Sequence, residues 1–143
     1  MDKVKLAIVG CGAISNLNVP GYLEHSKCEI VALCDPVPER ATSKAKEWGI
    51  NPDIFTEYGD ILSNKNIDAI ELLTPTYLHA EQIISGLEAG KHISCQKPLA
   101  TSMKEAAEIR GIVQKSDHIF RVTENFLYYP PILKAKQLID SGE

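Results

Sequence analysis

Hydrophobic positions along the chain follow two alternating periods. Continuous apolar runs at Val4–Val9 and at residues 30–34, 67–73, 92–95 and 119–123 suit buried strands, with a shorter run at 54–55. Between them the spacing changes to that of a helix. Ala41, Ala45 and Trp48 share one face, stopped by Gly49; Tyr77, Ala80, Ile84 and Leu87 share another, stopped by Gly90. Met103, Ala106, Ile109 and Val113 make a third, with Ser102 and Glu105 placed as a capping box at its start. Strands alternating with amphipathic helices predict βαβ units, right-handed crossovers and a parallel sheet covered on both faces.

The pattern divides into two halves, residues 1–55 and 67–126. That is the layout of a doubly wound α/β sheet with strand order 3-2-1-4-5-6. Pro20 falls inside the first expected helix and should end or kink it. A last helix is expected where Pro130 and Pro131 open it, Ile132, Ala135 and Ile139 supply a face, and Gly142 closes it.

Bulk properties narrow the function classes. The chain has 143 residues, enough for one domain with one core. Hydrophobic residues make up 44% and charged residues 24%, as in ordinary globular proteins. Net charge is −4 and no basic stripe is present, which argues against a nucleic-acid partner. No run approaches the roughly 20 apolar residues of a membrane span, and Asp2, Lys3 and Lys5 break any leader pattern. The four cysteines show no CxxC pairing and no histidine at ligand spacing, so no metal site is expected. Reduced thiols in a cytoplasmic protein are the plain reading.

The richest chemistry lies between the first two strands. Gly10-Cys11-Gly12-Ala13-Ile14-Ser15 follows an apolar run and opens a helix, and Asp35 ends the next run about 20 residues later. Gly10 permits the turn out of the strand, Gly12 leaves room for a pyrophosphate, and Ser15 lets helix and strand pack closely. The helix beginning there should aim free N–H groups and a positive dipole end at the phosphates. Asp35 can accept both hydroxyls of an adenosine ribose. Apolar strand, glycines, helix, strand and acid, in that order, make this a dinucleotide site, with Gly10, Gly12, Ala13, Ile14 and Asp35 as expected contacts. A carboxylate at Asp35 repels a 2′-phosphate, so NAD is expected over NADP. Arg40 could pair with that phosphate, but is expected on the second helix beside Glu39.

Ligands in such sheets sit outside the carboxyl ends of the strands. Thr74-Pro75-Thr76, Cys95-Gln96-Lys97-Pro98 and Glu124-Asn125 all fall at such ends. Cys11, Cys34 and Cys95 lie there too, and read as small buried residues rather than redox groups. Trp48 reads as packing on a helix face.

Taken together these segments resemble the N-terminal domain of the glucose–fructose oxidoreductase / inositol dehydrogenase (Gfo/Idh/MocA) family. The resemblance runs over essentially the whole chain: residues 9–15, Cys34-Asp35-Pro36 with Glu39-Arg40-Ala41, Thr74-Pro75 with His79, residues 89–92, Lys97-Pro98-Leu99-Ala100 and residues 138–142. It implies a Rossmann NAD(P)-binding domain spanning residues 1–143, with the family's C-terminal α+β substrate domain lying outside the chain. It also implies hydride transfer between a nicotinamide cofactor and a sugar, polyol or related hydroxy compound, in a parent that forms homo-oligomers through the second domain.

By the same resemblance Lys97 is the catalytic residue, touching nicotinamide and substrate, while Thr74, Pro75 and Gln96 contact cofactor. Asn125, from its place after the sixth strand, is read either as a substrate contact or as a satisfied strand-end amide. Removing hydride from a carbinol carbon requires loss of the hydroxyl proton, and a lysine amine beside a cationic nicotinamide is suited to take it. His79 is a recurrent motif member, expected here in a packed or hydrogen-bonded role. One departure stands out: the family usually has glutamate before the lysine, and this chain has Gln96, which lacks the charge. The isolated domain is expected to bind cofactor and turn over poorly, since a pocket open to water lacks the remaining catalytic groups. A non-catalytic NAD-binding sensor or scaffold is the alternative. A methyltransferase, which also uses a glycine loop and an acid, is disfavoured by Lys97-Pro98.

Overall fold

The computed structural model describes residues 3–142. Six parallel strands form one sheet in the order β3-β2-β1-β4-β5-β6: β1 (Val4–Val9), β2 (Cys28–Cys34), β3 (Asp53–Phe55), β4 (Ala69–Leu72), β5 (His92–Gln96) and β6 (Phe120–Thr123). The expected doubly wound order is therefore the observed one. β1 and β4 pair at the centre, where the chain reverses its direction of growth. A register shift in the β1–β2 pairing after Leu6 leaves Val31 without a partner.

Seven helices connect and follow the strands. α1 (Ser15–Asn18) and α2 (Pro20–Leu23) are one helical segment broken at Val19, because Pro20 brings no N–H. α3 (Pro38–Trp48) follows β2 and ends on left-handed Gly49. α4 (Tyr58–Ser63) crosses from β3 to β4, and α5 (His79–Glu88) and α6 (Met103–Val113) complete the second half. Ser102 Oγ accepts the Glu105 N–H, as expected of a cap, while the Glu105 carboxylate bonds Thr101. Those bonds hold the Glu105 carboxyl below the usual range.

The two sheet faces bury separate cores. On one, Leu6, Ile8, Leu33 and Leu73 pack with Val19 and with Ala41 of α3. On the other, Ala7, Val9, Ile70, Leu72, Ile93 and Cys95 pack under Ile61 of α4, Ile83 and Leu87 of α5 and Ile109 of α6. Each fully buried aliphatic side chain contributes roughly 1.5–3 kcal/mol. Trp48 packs against the first core, as expected, with the Lys44 ammonium 5.8 Å from its ring centre.

Several details differ from the sequence expectation. The sheet is not covered on both faces throughout. Both second-half helices lie on one face, so the other side of β4–β6 is an open groove of about 690 Å³, flanked by Asn18 and Tyr22 and floored by Ser94 and Arg121. Tyr77 and Met103 do not face the core and are 69% and 85% exposed. Tyr77 sits in a 3-10 turn (Thr76–Leu78) that rotates it off the face of α5, and Met103 is the first residue of α6. Ile119 precedes β6 and is exposed. The last helix, α7 (Pro130–Ser141), forms as expected and ends on Gly142, yet none of its residues is buried. Among the described residues its main packing partner is the preceding turn (Asn125–Tyr128).

Candidate functional site

The carboxyl ends of β1, β2 and β4 meet around a cavity of about 480 Å³ at the reversal of strand order. Its wall brings together Gly10, Gly12, Asp35, Thr74 and Pro75, five of the residues singled out from sequence. Gly10 has φ +96°, and a Cβ there would lie 2.7 Å from the Leu73 carbonyl oxygen. Glycine at position 10 thus serves both the turn and the close approach of β1 to β4. At Gly12 a Cβ would meet no protein atom within 4 Å. Gly12 thus borders open space on the cavity wall.

The donors at this loop differ from the expected helix terminus. α1 is only four residues long, too short to sustain the expected macrodipole. The N–H groups of Ser15, Asn16 and Leu17 bond the carbonyls of Gly12, Ala13 and Ile14. The N–H groups of Gly12, Ala13 and Ile14 have no hydrogen-bond partner among the described residues. Loop amides, more than a helix dipole, are what this site offers an anion. Ser15 is fully buried, with Oγ donating to the Gly12 carbonyl at 2.7 Å.

Asp35 is 3% exposed. Its Oδ2 accepts the Cys11 N–H at 2.9 Å, and its Oδ1 accepts the Val37 N–H, also at 2.9 Å. Arg40, on α3 as expected, brings Nη1 to 3.9 Å from the same carboxylate and lines the cavity. An ionised carboxylate has about four lone-pair sites, so two backbone bonds leave capacity for ligand hydroxyls.

Burial, followed by the nearby Asp35 carboxylate, pushes the Cys11 and Cys34 thiols up to about 12. Cys95 rises to about 12 through burial and then Glu71. All three behave as the small buried groups expected.

Lys97, Gln96 and Asn125 lie outside that cavity lining, along the ends of β5 and β6. Lys97 is exposed, and its peptide bond to Pro98 is cis. Its N–H donates to Gln96 Oε1 at 2.8 Å. Asn125 is exposed in the turn after β6. His79 is buried, with Nδ1 2.8 Å from the Pro98 carbonyl oxygen and Nε2 2.9 Å from that of Thr74. This matches the hydrogen-bonded role expected of it and joins the Thr74 segment to the Lys97 segment.

Sequence reading missed Thr56, Tyr58, Tyr77 and Gln82 of the cavity wall. Gln82 carried a signal: it is a polar residue beside Ile83 and Leu87 on the buried face of α5, and it accepts the Thr74 hydroxyl. Tyr58 carried none, since α4 is too short to show a period.

The sequence model of the Gfo/Idh/MocA group, described as an oxidoreductase family with an NAD-binding Rossmann fold, matches residues 4–124. The chain belongs to this family. Among its Gfo/Idh/MocA relatives, a scyllo-inositol 2-dehydrogenase (NAD(+)) of Bacillus subtilis (strain 168) is 32% identical over 148 residues, covering 99% of this chain and 41% of that protein. A solved oxidoreductase of Thermotoga maritima is 33% identical with a TM-score of 0.90, covering 98% of this chain and 44% of that one. A 3-ketoreductase of Actinomadura kijaniata, solved with TDP-benzene and NADP in an open conformation, is 25% identical with a TM-score of 0.88, covering 99% and 44%. The chain spans about two-fifths of the length of the curated Gfo/Idh/MocA relatives it matches.

Proposed function

We propose that this chain is the cofactor half of an enzyme that moves hydride between NAD and a sugar, polyol or related hydroxy compound. The observation that carries the reading is the cavity where Gly10, Gly12 and Asp35 converge at the strand-order reversal. The residues present fit a dinucleotide: an open space in front of Gly12, unbonded amides at Gly12, Ala13 and Ile14, and a carboxylate with spare acceptor capacity. Thr74 and Pro75 would flank it from the β4 side. The bound nicotinamide would supply the hydride acceptor or donor.

This chain's own residues then bind and orient. The loop amides receive the pyrophosphate, and Asp35 receives the ribose hydroxyls. Lys97, at the end of β5, takes the hydroxyl proton of the substrate. Gln96 and Asn125 stand on the same rim. Asp35 favours NAD over NADP, because a second negative charge near 4 Å costs about 4 kcal/mol at an effective dielectric of about 20. Arg40 offsets part of that cost, being 3.9 Å from the carboxylate and largely exposed.

Titration of the 143-residue chain with NADH, NADPH and S-adenosylmethionine, followed by fluorescence, tests the cofactor assignment. Saturation by NADH, weaker binding of NADPH and no response to S-adenosylmethionine are expected. A response to the last alone would overturn the reading. A spectrophotometric assay with a sugar and polyol panel tests the activity. The chain alone is expected to show little turnover, and the natural protein with its substrate region is expected to show it. Tight NADH binding without turnover in that longer protein would favour the sensor alternative.

A further inference from the structure

Two side-chain bonds tie the first helical segment to the second half of the sheet. One turn along, Tyr22 donates its hydroxyl to Glu71 at 2.6 Å, and Glu71 is a fully buried carboxylate on β4. Closer to the site, Gln96 Nε2 at the end of β5 donates to Asn18 Oδ1 at 3.1 Å. The second tie is directional throughout. Asn18 Nδ2 donates to the Ile14 carbonyl at 3.0 Å, which turns Asn18 Oδ1 toward Gln96. Gln96 in turn gives its amide hydrogen to Asn18 and takes the Lys97 N–H on Oε1.

We propose that Asn18 is a positioning residue for Lys97, acting through an amide tie to Gln96 that a carboxylate at position 96 would not complete. This deepens the reading of Lys97 as the proton-handling group and rests on it. A glutamate at 96 would set its oxygen against Asn18 Oδ1. Relieving that contact requires turning the Asn18 amide, which places an oxygen against the Ile14 carbonyl. With the tie intact, the Lys97 N–H is held by Gln96, and one residue on the Pro98 carbonyl lies 2.8 Å from His79 Nδ1. Ile14 belongs to the dinucleotide loop, so the chain of bonds runs from that loop to the backbone of the lysine. Gln96 therefore uses its amide within the protein, and Asn18 joins the site although it lies outside every motif.

Amide hydrogen exchange at Lys97, measured by NMR on the 143-residue chain without dinucleotide, tests the tie. Asn18→Ala and Gln96→Leu should each speed exchange at Lys97 by about tenfold, and the double variant should be no faster than Gln96→Leu alone. Gln96→Glu keeps an acceptor for the Lys97 N–H but has no hydrogen to give Asn18, and should exchange as fast as Asn18→Ala. Unchanged exchange at Ile8 and Leu72 checks that each variant is folded. Lys97 exchange in Asn18→Ala within about twofold of wild type would overturn the proposal, as would Gln96→Glu exchanging as slowly as the wild type. The ¹³C signal of dimethylated Lys97, followed with added NADH, gives the second readout. NADH should move it in the wild type, and move it differently in Asn18→Ala and in Gln96→Glu. If NADH moves no signal in any protein, the cofactor reading fails while the exchange result still decides the tie.

Discussion

Asp35 Oδ2 accepts the backbone N–H of Cys11 at 2.9 Å, so the acid that ends the motif is bonded to the glycine loop that begins it. The same carboxylate holds Val37 N–H at the entry to α3. One side chain therefore fixes both walls of the cavity and presents its remaining lone pairs to a ligand. Structural and binding roles at this position are inseparable, and a substitution should reveal both.

Replacing Asp35 with serine removes the charge and frees Arg40. The buried Cys11 N–H and the part-buried Val37 N–H lose an acceptor, at about 1–3 kcal/mol for the buried one where the serine hydroxyl does not reach it. The expected result is a loss of about 2 kcal/mol in urea denaturation. The NADPH-to-NADH affinity ratio should rise at least about tenfold when both are titrated. An unchanged ratio would count against Asp35 as the discriminating group.

Gly10→Ala should damage the fold itself. The added Cβ would sit 2.7 Å from the Leu73 oxygen, on a backbone with φ +96°. The Leu73 contact is with backbone that cannot step aside, so a cost of at least about 2 kcal/mol is expected, read as a lowered urea midpoint. A midpoint equal to that of the wild type would contradict the close approach of β1 and β4.

His79→Leu should loosen the rim. The Thr74 and Pro98 carbonyls each lose a ring nitrogen within 2.9 Å. A destabilisation of about 1–3 kcal/mol is expected, with weaker NADH binding, because the two segments it joins flank the cavity and Lys97. Calorimetry of the variant with NADH measures both at once.

The thiols should be silent near neutrality. A raised pKa keeps the thiol protonated until pH approaches it, and Cys11, Cys34 and Cys95 stand at about 12. At pH 8 about one in ten thousand of each is thiolate. In the folded protein a disulfide reagent at pH 8 should react slowly, first at half-buried Cys28, whose thiol is raised chiefly by burial. In urea all four thiols should titrate within minutes. Rapid modification of Cys11 in the folded chain would contradict the burial.

The sheet order and most elements were legible because their signals are local. A buried strand is a short apolar run, and the ends of α3, α6 and α7 are marked by Gly49, Ser102 and Gly142. What escaped depends on distant partners. Glu71 interrupts an apolar run, and its distant partners Tyr22 and Thr123, 49 and 52 residues away, explain how it is buried. The open side of β4–β6 follows from both second-half helices taking the same face, which spacing alone does not show. Tyr77 fitted a helical period, but the 3-10 turn beneath it shifts the phase. In the site, Gly10, Gly12, Asp35, Thr74 and Pro75 were readable from residue type at strand ends. Asn18 was not, since an asparagine late in a short helix has no signature apart from the Gln96 it meets.

The central claim is that the space before Gly12 holds a dinucleotide, and Gly12→Ala with NADH tests it most directly. No protein atom beyond its chain neighbours lies within 4 Å of the added Cβ, so the unfolding free energy read from urea denaturation should change by less than about 0.5 kcal/mol. NADH should bind the wild-type chain saturably and the variant at least about tenfold more weakly. Equal affinity of the two proteins, or no saturable NADH binding by the wild type, would contradict the account.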